Sequence, residues 1–348
     1  MELAYRPFSL ALTTELETAA GPIAQREGFL VRIDGDGEYG VGEATPLPGW
    51  TESSVECERA LERAAAVTAD DEDEACRRLL AACEDAPAAR HGVALALSDL
   101  RAKRDRVSLY RHLGGDERVD YVPVNATIGD GTPAETVDAA REAVEEGFRT
   151  LKLKVGARPL ESDVERVRRV REAVGPDVEL RADANGAWNR DEARDAVAAF
   201  ADCDVALLEQ PLPVDDLAGH AEVRDAGVEI GVDESVVERG IDAVLAADAA
   251  DVVVLKPMAL GGPDVACEVG AWALECDVTP IVTTTIDGVV ARTGAVHVAA
   301  SLPEGPACGL ATGDLLASDL APDPAPVIDG EIVVPGSNGL GVSGAWNE

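Results

Sequence analysis

The chain has few aromatics, few lysines and little positive charge. Phe, Trp and Tyr make up 3% of its 348 residues, so Ala, Val and Leu must supply most of the core volume. Basic residues number 30 against 66 acidic ones, a formal net charge of −36. That deficit excludes an ordinary nucleic-acid binder, because phosphate would be repelled, and it disfavours adsorption to anionic membranes. No uninterrupted apolar run reaches the roughly 18 residues that a spanning helix needs. The opening MELAYRPFSL lacks a basic stretch followed by an apolar one, so no secretory signal is evident and the expected compartment is the cytoplasm. The seven cysteines, at 57, 76, 83, 203, 267, 276 and 308, include no CxxC pair. They are expected as free, mostly buried thiols in a reducing environment.

Hydrophobic residues reach 46%, enough for a large core and too many for intrinsic disorder. The length suits one domain of about 200–250 residues with a smaller companion. The acids are spread along the chain, and only Asp70 to Glu74 form a run, which reads as a solvated loop or a helix start. A dispersed charge of this size destabilises a compact fold at low salt. At about 1 M salt the screening length falls to roughly 3 Å and the repulsion is muted. The charge therefore reads as adaptation to extreme salinity and not as a functional surface.

Only four of the 30 basic residues are lysine: Lys103, Lys152, Lys154 and Lys256. Lysine can act as a base when its pKa is lowered, whereas arginine stays protonated. Lys103 sits in the charged stretch RAKRDR and needs no chemical reason. The other three fall at more telling positions.

Residues 1–115 hold strand-like pieces near 3–11, 28–34 and 38–45, then helical stretches near 52–67, 72–83 and 88–105. Strands followed by helices suggest an α+β domain. From Val122 the pattern alternates, with strand-like VPVNATI, TLKLKV, VELRAD, VALLEQ, VEIGVD, VVVLKP and TPIVTT separated by amphipathic helical stretches and an eighth unit near Ala307. Lys154, Asp183, Glu209, Asp233 and Lys256 end successive runs at spacings of 29, 26, 24 and 23. That is the pitch of a repeated βα unit, and the expected fold over 116–320 is a (β/α)8-type barrel. The segment 321–348, with a strand signal at EIVVP, is expected to return to the first domain.

The string GDGEYG at 35–40 mimics a dinucleotide fingerprint, but a strand follows it and acids surround it, so it reads as a hairpin. It also mimics the start of a calcium loop, yet Tyr39 stands where that loop needs glycine. Lys152 and Lys154, two apart on a strand, share a face, while Leu151, Leu153 and Val155 take the other. Both ammonium groups then point into the barrel mouth. Mutual repulsion and partial desolvation are expected to lower their pKa values, which suits a general base. Asp183, Glu209 and Asp233 at one mouth form an all-oxygen set suited to Mg²⁺. Lys256 lies opposite Lys154, so the arrangement fits proton abstraction beside a metal-bound carboxylate.

Lys152-x-Lys154, Asp183-x-Asn185, Glu209-Gln210-Pro211, Asp233-Glu234-Ser235 and Lys256-Pro257 together resemble the enolase superfamily, in its muconate lactonizing subgroup. The resemblance implies Mg²⁺ on Asp183, Glu209 and Asp233, Lys154 as the base tuned by Lys152, and Lys256 on the opposite face. It also implies a capping domain over the mouth. Its loops, near 15–27 and 45–52, would supply Arg26 and Trp50 as substrate contacts beside Asn185 and Thr284, with Arg26 meeting a carboxylate or ordering the loop. GEATPLPG at 42–49 and VLKP at 254–257 are most similar to the o-succinylbenzoate synthases of that subgroup. Dipeptide epimerases of the subgroup carry Asp-x-Asp at the eighth strand, whereas this chain has ACGLAT at 307–312. Muconate cycloisomerases share the same catalytic frame, and N-acylamino acid racemases use a base on each face. The expected partner is a small carboxylate substrate, with no nucleic acid and no membrane, and with a homo-oligomer left open.

Overall fold

The computed structural model describes residues 1–18 and 21–346. Three antiparallel strands open the chain, β1 (Glu2–Thr18), β2 (Gly21–Gly35) and β3 (Glu38–Ala44), paired in that order. The β2–β3 turn is made by Asp36 and Gly37 at φ 48 and 85. Two consecutive positive φ values give the mirror-image turn that matches strand twist, which confirms the hairpin reading. The helices α1 (Ser54–Ala65), α2 (Glu72–Ala81), α3 (Pro87–Asp105) and α4 (Leu109–His112) follow. The acidic run starts α2. Asp71 accepts the Glu74 N–H at 2.8 Å, and Glu72 to Glu74 fill the first turn, where the helix dipole favours acids.

One expectation is corrected here. Residues 15–27 are not a loop, because β1 and β2 continue pairing through Leu16↔Ile23, Glu17↔Pro22 and Thr18↔Gly21 after an irregularity. The strands satisfy each other's backbone groups further out than the pattern suggested. Ala19 and Ala20, at the tip of that stretch, lie outside the described residues.

The second unit begins with β4 (Tyr121–Pro123) and β5 (Ala126–Ile128). It alternates through α5 (Pro133–Glu145), β6 (Thr150–Lys154), α6 (Leu160–Val174), β7 (Glu179–Asp183), α7 (Arg190–Ala201), β8 (Val205–Glu209) and α8 (Leu217–Val223). Next come β9 (Glu229–Val232), α9 (Glu234–Arg239), α10 (Ile241–Ala246), β10 (Val252–Leu255), α11 (Pro257–Leu260) and α12 (Pro263–Glu275). The run ends with β11 (Thr279–Val282) and α13 (Val289–Ser301). Strands β5 to β11 form one seven-stranded parallel sheet in chain order. The eighth staff of the barrel is reduced to two parallel bridges, Val124↔Cys308 and Thr283↔Gly309, which join the first and last strands. Inside the barrel, buried Arg181 on β7 donates to the Ala307 carbonyl at 2.7 Å.

Two details depart from the sequence reading. Among the described residues no α-helix follows the eighth staff, where the chain makes only a single 3-10 turn at Gly313–Leu315. The strand signal EIVVP becomes β13 (Glu331–Val333), paired with β12 (Val327–Ile328) and with β4, not with the first domain. The tail reaches the first domain further on, where Leu340 N–H donates to Asp99 at 2.7 Å and Arg6 donates to the Ala345 carbonyl at 2.7 Å.

The N-terminal unit caps the barrel, and its core takes in Met258 of α11 and Ala291 of α13. All seven cysteines are free, five of them buried. No helix among the described residues is long and apolar enough to cross a membrane.

His297 on α13 gives this interface a pH dependence. It is fully buried, accepts the Tyr110 N–H on Nδ1 at 3.2 Å and faces the Leu340 carbonyl from Nε2 at 3.0 Å. The carbonyl needs a proton on Nε2, so the ring is neutral. Burial pushes its pKa down to about 4. The unfolded chain, with histidine near 6.5, binds the extra proton first, so the contribution is complete above pH 6.5 and is lost as pH falls towards 4. Urea unfolding between pH 7.5 and 4.5 at fixed KCl should show it. His297→Gln should flatten the slope of stability by about one proton, and an unchanged slope would refute the assignment.

Candidate active site

The strand register gathers the chemistry at one end of the barrel. Lys154 on β6 lies opposite Asp183 on β7, and Asp183 lies opposite Glu209 on β8. Asp233 and Lys256 follow β9 and β10 at the same end. Leu151 and Leu153 are fully buried under the helices, so Lys152 and Lys154 share the other face of β6. Lys152 Nζ lies 2.7 Å from Glu209 Oε1 and 3.0 Å from Asp183 Oδ2. Lys154 Nζ lies 2.7 Å from the same Asp183 oxygen and 2.8 Å from Asn185 Oδ1. Lys256 pairs with Asp233. Lys154 has the most open side chain of the three, at 37% exposure against 16% for Lys152 and 11% for Lys256, so it is the amine best placed to meet a ligand from solvent.

Burial and repulsion from Asp183 push the Glu209 carboxyl up to about 7 despite its bond to Lys152. Burial also raises Asp233, more than Lys256 lowers it. Burial acts on Asp183 too, but Lys152 and Lys154 outweigh it and hold that carboxyl well below the usual range. Lys152 corrects an expectation. Desolvation pulls its pKa down, yet Asp183, Glu209 and Asp233 together outweigh burial and hold the ammonium above its ordinary value.

Among the described residues no three acidic, cysteine or histidine side chains are already gathered at metal-binding separation; Lys152 and Lys154 occupy the space between the carboxylates. The donor set nonetheless fits a hard cation. It is all oxygen, and Asp233 Oδ1 is buried with no hydrogen-bond partner. Asp183 and Asp233 both raise the pKa of Glu209, a repulsion that a divalent ion would relieve.

The cap reaches the mouth through its 45–52 loop and β2. Trp50 is half-buried, with its ring centroid 3.3 Å from Lys256 Nζ, a cation–π contact. Arg26 is buried on β2, and its guanidinium is committed to three carbonyls, Thr45 at 3.0 Å, Pro46 at 3.2 Å and Ile286 at 3.2 Å. Thr284 is buried beyond β11, its hydroxyl 2.9 Å from that of Thr312. Asn185, at φ 44, bridges Lys154 to Glu234 Oε1 at 2.9 Å. Ile286 has φ 61. For a β-branched residue this left-handed conformation costs about 1–3 kcal/mol and persists only where neighbours enforce it.

The enolase C-terminal domain-like family model matches residues 135–347, and the MenC N-terminal domain model matches 3–100. The chain belongs to the enolase superfamily, in its muconate lactonizing subgroup. The L-Ala-D/L-Glu epimerase of Bacillus subtilis is 33% identical, covering 97% of this chain and 94% of that enzyme. The o-succinylbenzoate synthase of Thermobifida fusca is 41% identical over 62% of this chain and 67% of that enzyme. A solved dipeptide epimerase of Enterococcus faecalis, complexed with Mg and the dipeptide L-Leu-L-Tyr, aligns over 99% of both chains with a TM-score of 0.91 at 27% identity.

Two features of this superfamily member were not singled out from sequence. Glu234 adjoins Asp233 in the Asp-Glu-Ser motif, and that adjacency was the available signal. Gly309, on the eighth staff, leaves no room for a side chain, since a Cβ there would stand 2.5 Å from Thr283 Oγ1 and 3.0 Å from Thr283 Cβ. Gly309→Ala should therefore cost about 1–3 kcal/mol by overpacking. Thermal unfolding in molar KCl checks it, and adding Thr283→Ala should restore part of the loss.

Proposed function

We propose that this protein is an o-succinylbenzoate synthase, dehydrating a succinyl-hydroxycyclohexadiene carboxylate in menaquinone synthesis. The observation that carries the reading is the eighth staff. Its segment 307–312 has no carboxylate, and Gly309 packs against Thr283 too closely to admit one. A dipeptide's ammonium would therefore find no counter-charge at that position, which argues against epimerisation despite the epimerase relative. The synthase relative and the MenC N-terminal match support the same choice.

Asp183, Glu209 and Asp233 would hold Mg²⁺, which when bound supplies positive charge at the substrate carboxylate. Lys154 takes the α-proton with its amine lone pair. The C–H electrons move into the carboxylate system, and the C–O bond then breaks. Lys154 returns its proton to the departing hydroxyl on the same face, so water leaves and the ring becomes aromatic. Lys256 stays protonated on the opposite face and offsets the developing negative charge. Lys152, tied to Asp183 and Glu209, helps to orient the carboxylates. Asn185, which accepts from Lys154, orients that amine, while Trp50 and Thr284 bound the far end of the substrate.

A second reading has one observation in its favour. Lys154 and Lys256 lie on two sides of the mouth, as racemisation of an N-acylamino acid would require. Turnover of the cyclohexadiene substrate with Mg²⁺ in molar KCl decides between them. Dehydration supports the proposal. Racemisation or epimerisation without dehydration would overturn it.

A further inference from the structure

The loop between β11 and α13 is held from two sides, by the barrel and by the cap. It starts level with Lys256, because Val282 pairs with Leu255 and the Thr283 N–H donates to the Leu255 carbonyl at 2.9 Å. Within it Ile286 stands at φ 61, a conformation that an isoleucine avoids when free. The loop's own contribution is modest. The Ile286 N–H reaches Thr284 Oγ1 at 3.3 Å, and Asp287 accepts from the Thr285 hydroxyl and N–H at 2.5 and 3.2 Å.

The barrel adds Thr312, 2.9 Å from the Thr284 hydroxyl, the Gly309 carbonyl, which accepts from the Thr283 hydroxyl at 2.8 Å, and Arg292, which donates to the Asp287 carbonyl at 3.3 Å; the remaining anchors belong to the cap. Arg26 donates to the Ile286 carbonyl at 3.2 Å while its remaining nitrogens grip Thr45 and Pro46. Glu43, fully buried at the end of β3, accepts the Gly288 N–H at 2.7 Å and the Ala291 N–H at 3.0 Å. These N–H groups open α13, so a cap-domain carboxylate closes off a barrel helix. Gly288 is needed for that approach, since a Cβ there would lie 2.9 Å from Glu43 Oε2. The two cap residues thus bracket Ile286, one on its carbonyl and one two residues beyond.

We propose that Arg26 is a positioning residue. It acts through the Ile286 carbonyl to hold the β11–α13 loop in its left-handed turn, and so fixes Thr284 at the mouth and couples the seating of the cap to the shape of the substrate pocket. The guanidinium is buried and its three hydrogen bonds all run to main-chain carbonyls, which suits support of the loop better than contact with substrate. The inference rests on the barrel mouth being the active site and not on which subgroup reaction occurs there.

The test is a double-mutant cycle with Arg26→Met and Ile286→Gly, each read in two ways. Hydrogen exchange of the 285–288 amides reports the loop without any substrate. KM and kcat for the cyclohexadiene substrate report the pocket. Arg26→Met should speed loop exchange by about tenfold or more, as expected on losing a charged hydrogen bond. It should raise KM by a similar factor and change kcat much less. Glycine adopts positive φ unaided, so in the Ile286→Gly background the same change should have under about a third of that effect. Equal losses in both backgrounds, or unchanged loop exchange in Arg26→Met, would overturn the proposal. If Arg26→Met does not fold, Arg26→Lys, which keeps the charge but not the three-carbonyl grip, takes its place with the same expectations. Should the wild type not turn this substrate over, the proposed function fails while the exchange cycle still decides the role of Arg26.

Discussion

Lys154→Arg eliminates dehydration, whereas Lys256→Arg retains a measurable fraction. The expected loss at Lys154 is at least about a thousandfold, because general acid–base catalysis contributes roughly 10²–10⁴ and the same amine serves both proton transfers. Arginine keeps the charge that pairs with Asp183 but gives up no proton near neutral pH. At position 256 only the charge is required. Lys256 lies against the Trp50 ring and pairs with Asp233, and a guanidinium can make both contacts. Product formation and deuterium incorporation in D₂O, with Mg²⁺ and molar KCl, measure both variants. Racemisation needs a base on each face, so there either substitution should abolish turnover. Total and equal loss of dehydration in both variants would refute the one-base mechanism, once a structure of Lys256→Arg has excluded a steric failure.

The catalytic frame was legible because it obeys short periods. Lys152 and Lys154 alternate with Leu151 and Leu153, and a strand turns that alternation into one polar and one buried face. The spacings from Lys154 to Lys256 repeat one βα unit, which places each residue at the same end of the barrel. Contacts between distant segments carry no such period. Nothing in the sequence sets Trp50 against Lys256, or Arg26 on the carbonyl of Ile286. Ile286 itself carries no turn signal in the sequence, and the Arg26 bond to its carbonyl spans 260 positions of chain. The missing eighth helix had a weak signal, since Gly313, Pro322, Pro324 and Pro326 interrupt any helical period after Gly309. The raised pKa of Lys152 is invisible in sequence for the same reason of range. Along its strand the nearest charge is another lysine, but across the sheet two carboxylates lie within 3.0 Å.

The second large effect expected is a salt requirement for the fold itself. With 66 acidic and 30 basic residues, one-to-one pairing leaves at least 36 acids without a counter-charge. Several arginines are already shared between two acids, as Arg190 is between Asp216 and Glu222 and Arg292 between Asp319 and Asp323. Few bases therefore remain to offset the rest. Unpaired acids repel over a length that grows from about 3 Å at 1 M salt to about 10 Å at 0.1 M, so removing KCl brings many separate pairs into range together. Each pair costs little, but a sum of several kcal/mol would lower the melting temperature by about 10 °C or more in a chain of this size. Circular dichroism from about 3 M to 0.1 M KCl should show that fall or outright unfolding. A neutral osmolyte separates the causes. Sucrose also strengthens burial by exclusion but screens no charge, so at 0.1 M KCl it should restore only a minor part of the stability. A melting temperature unchanged across the KCl range would mean that the acids are already held apart well enough by the fold, and the saline reading of the charge would be wrong.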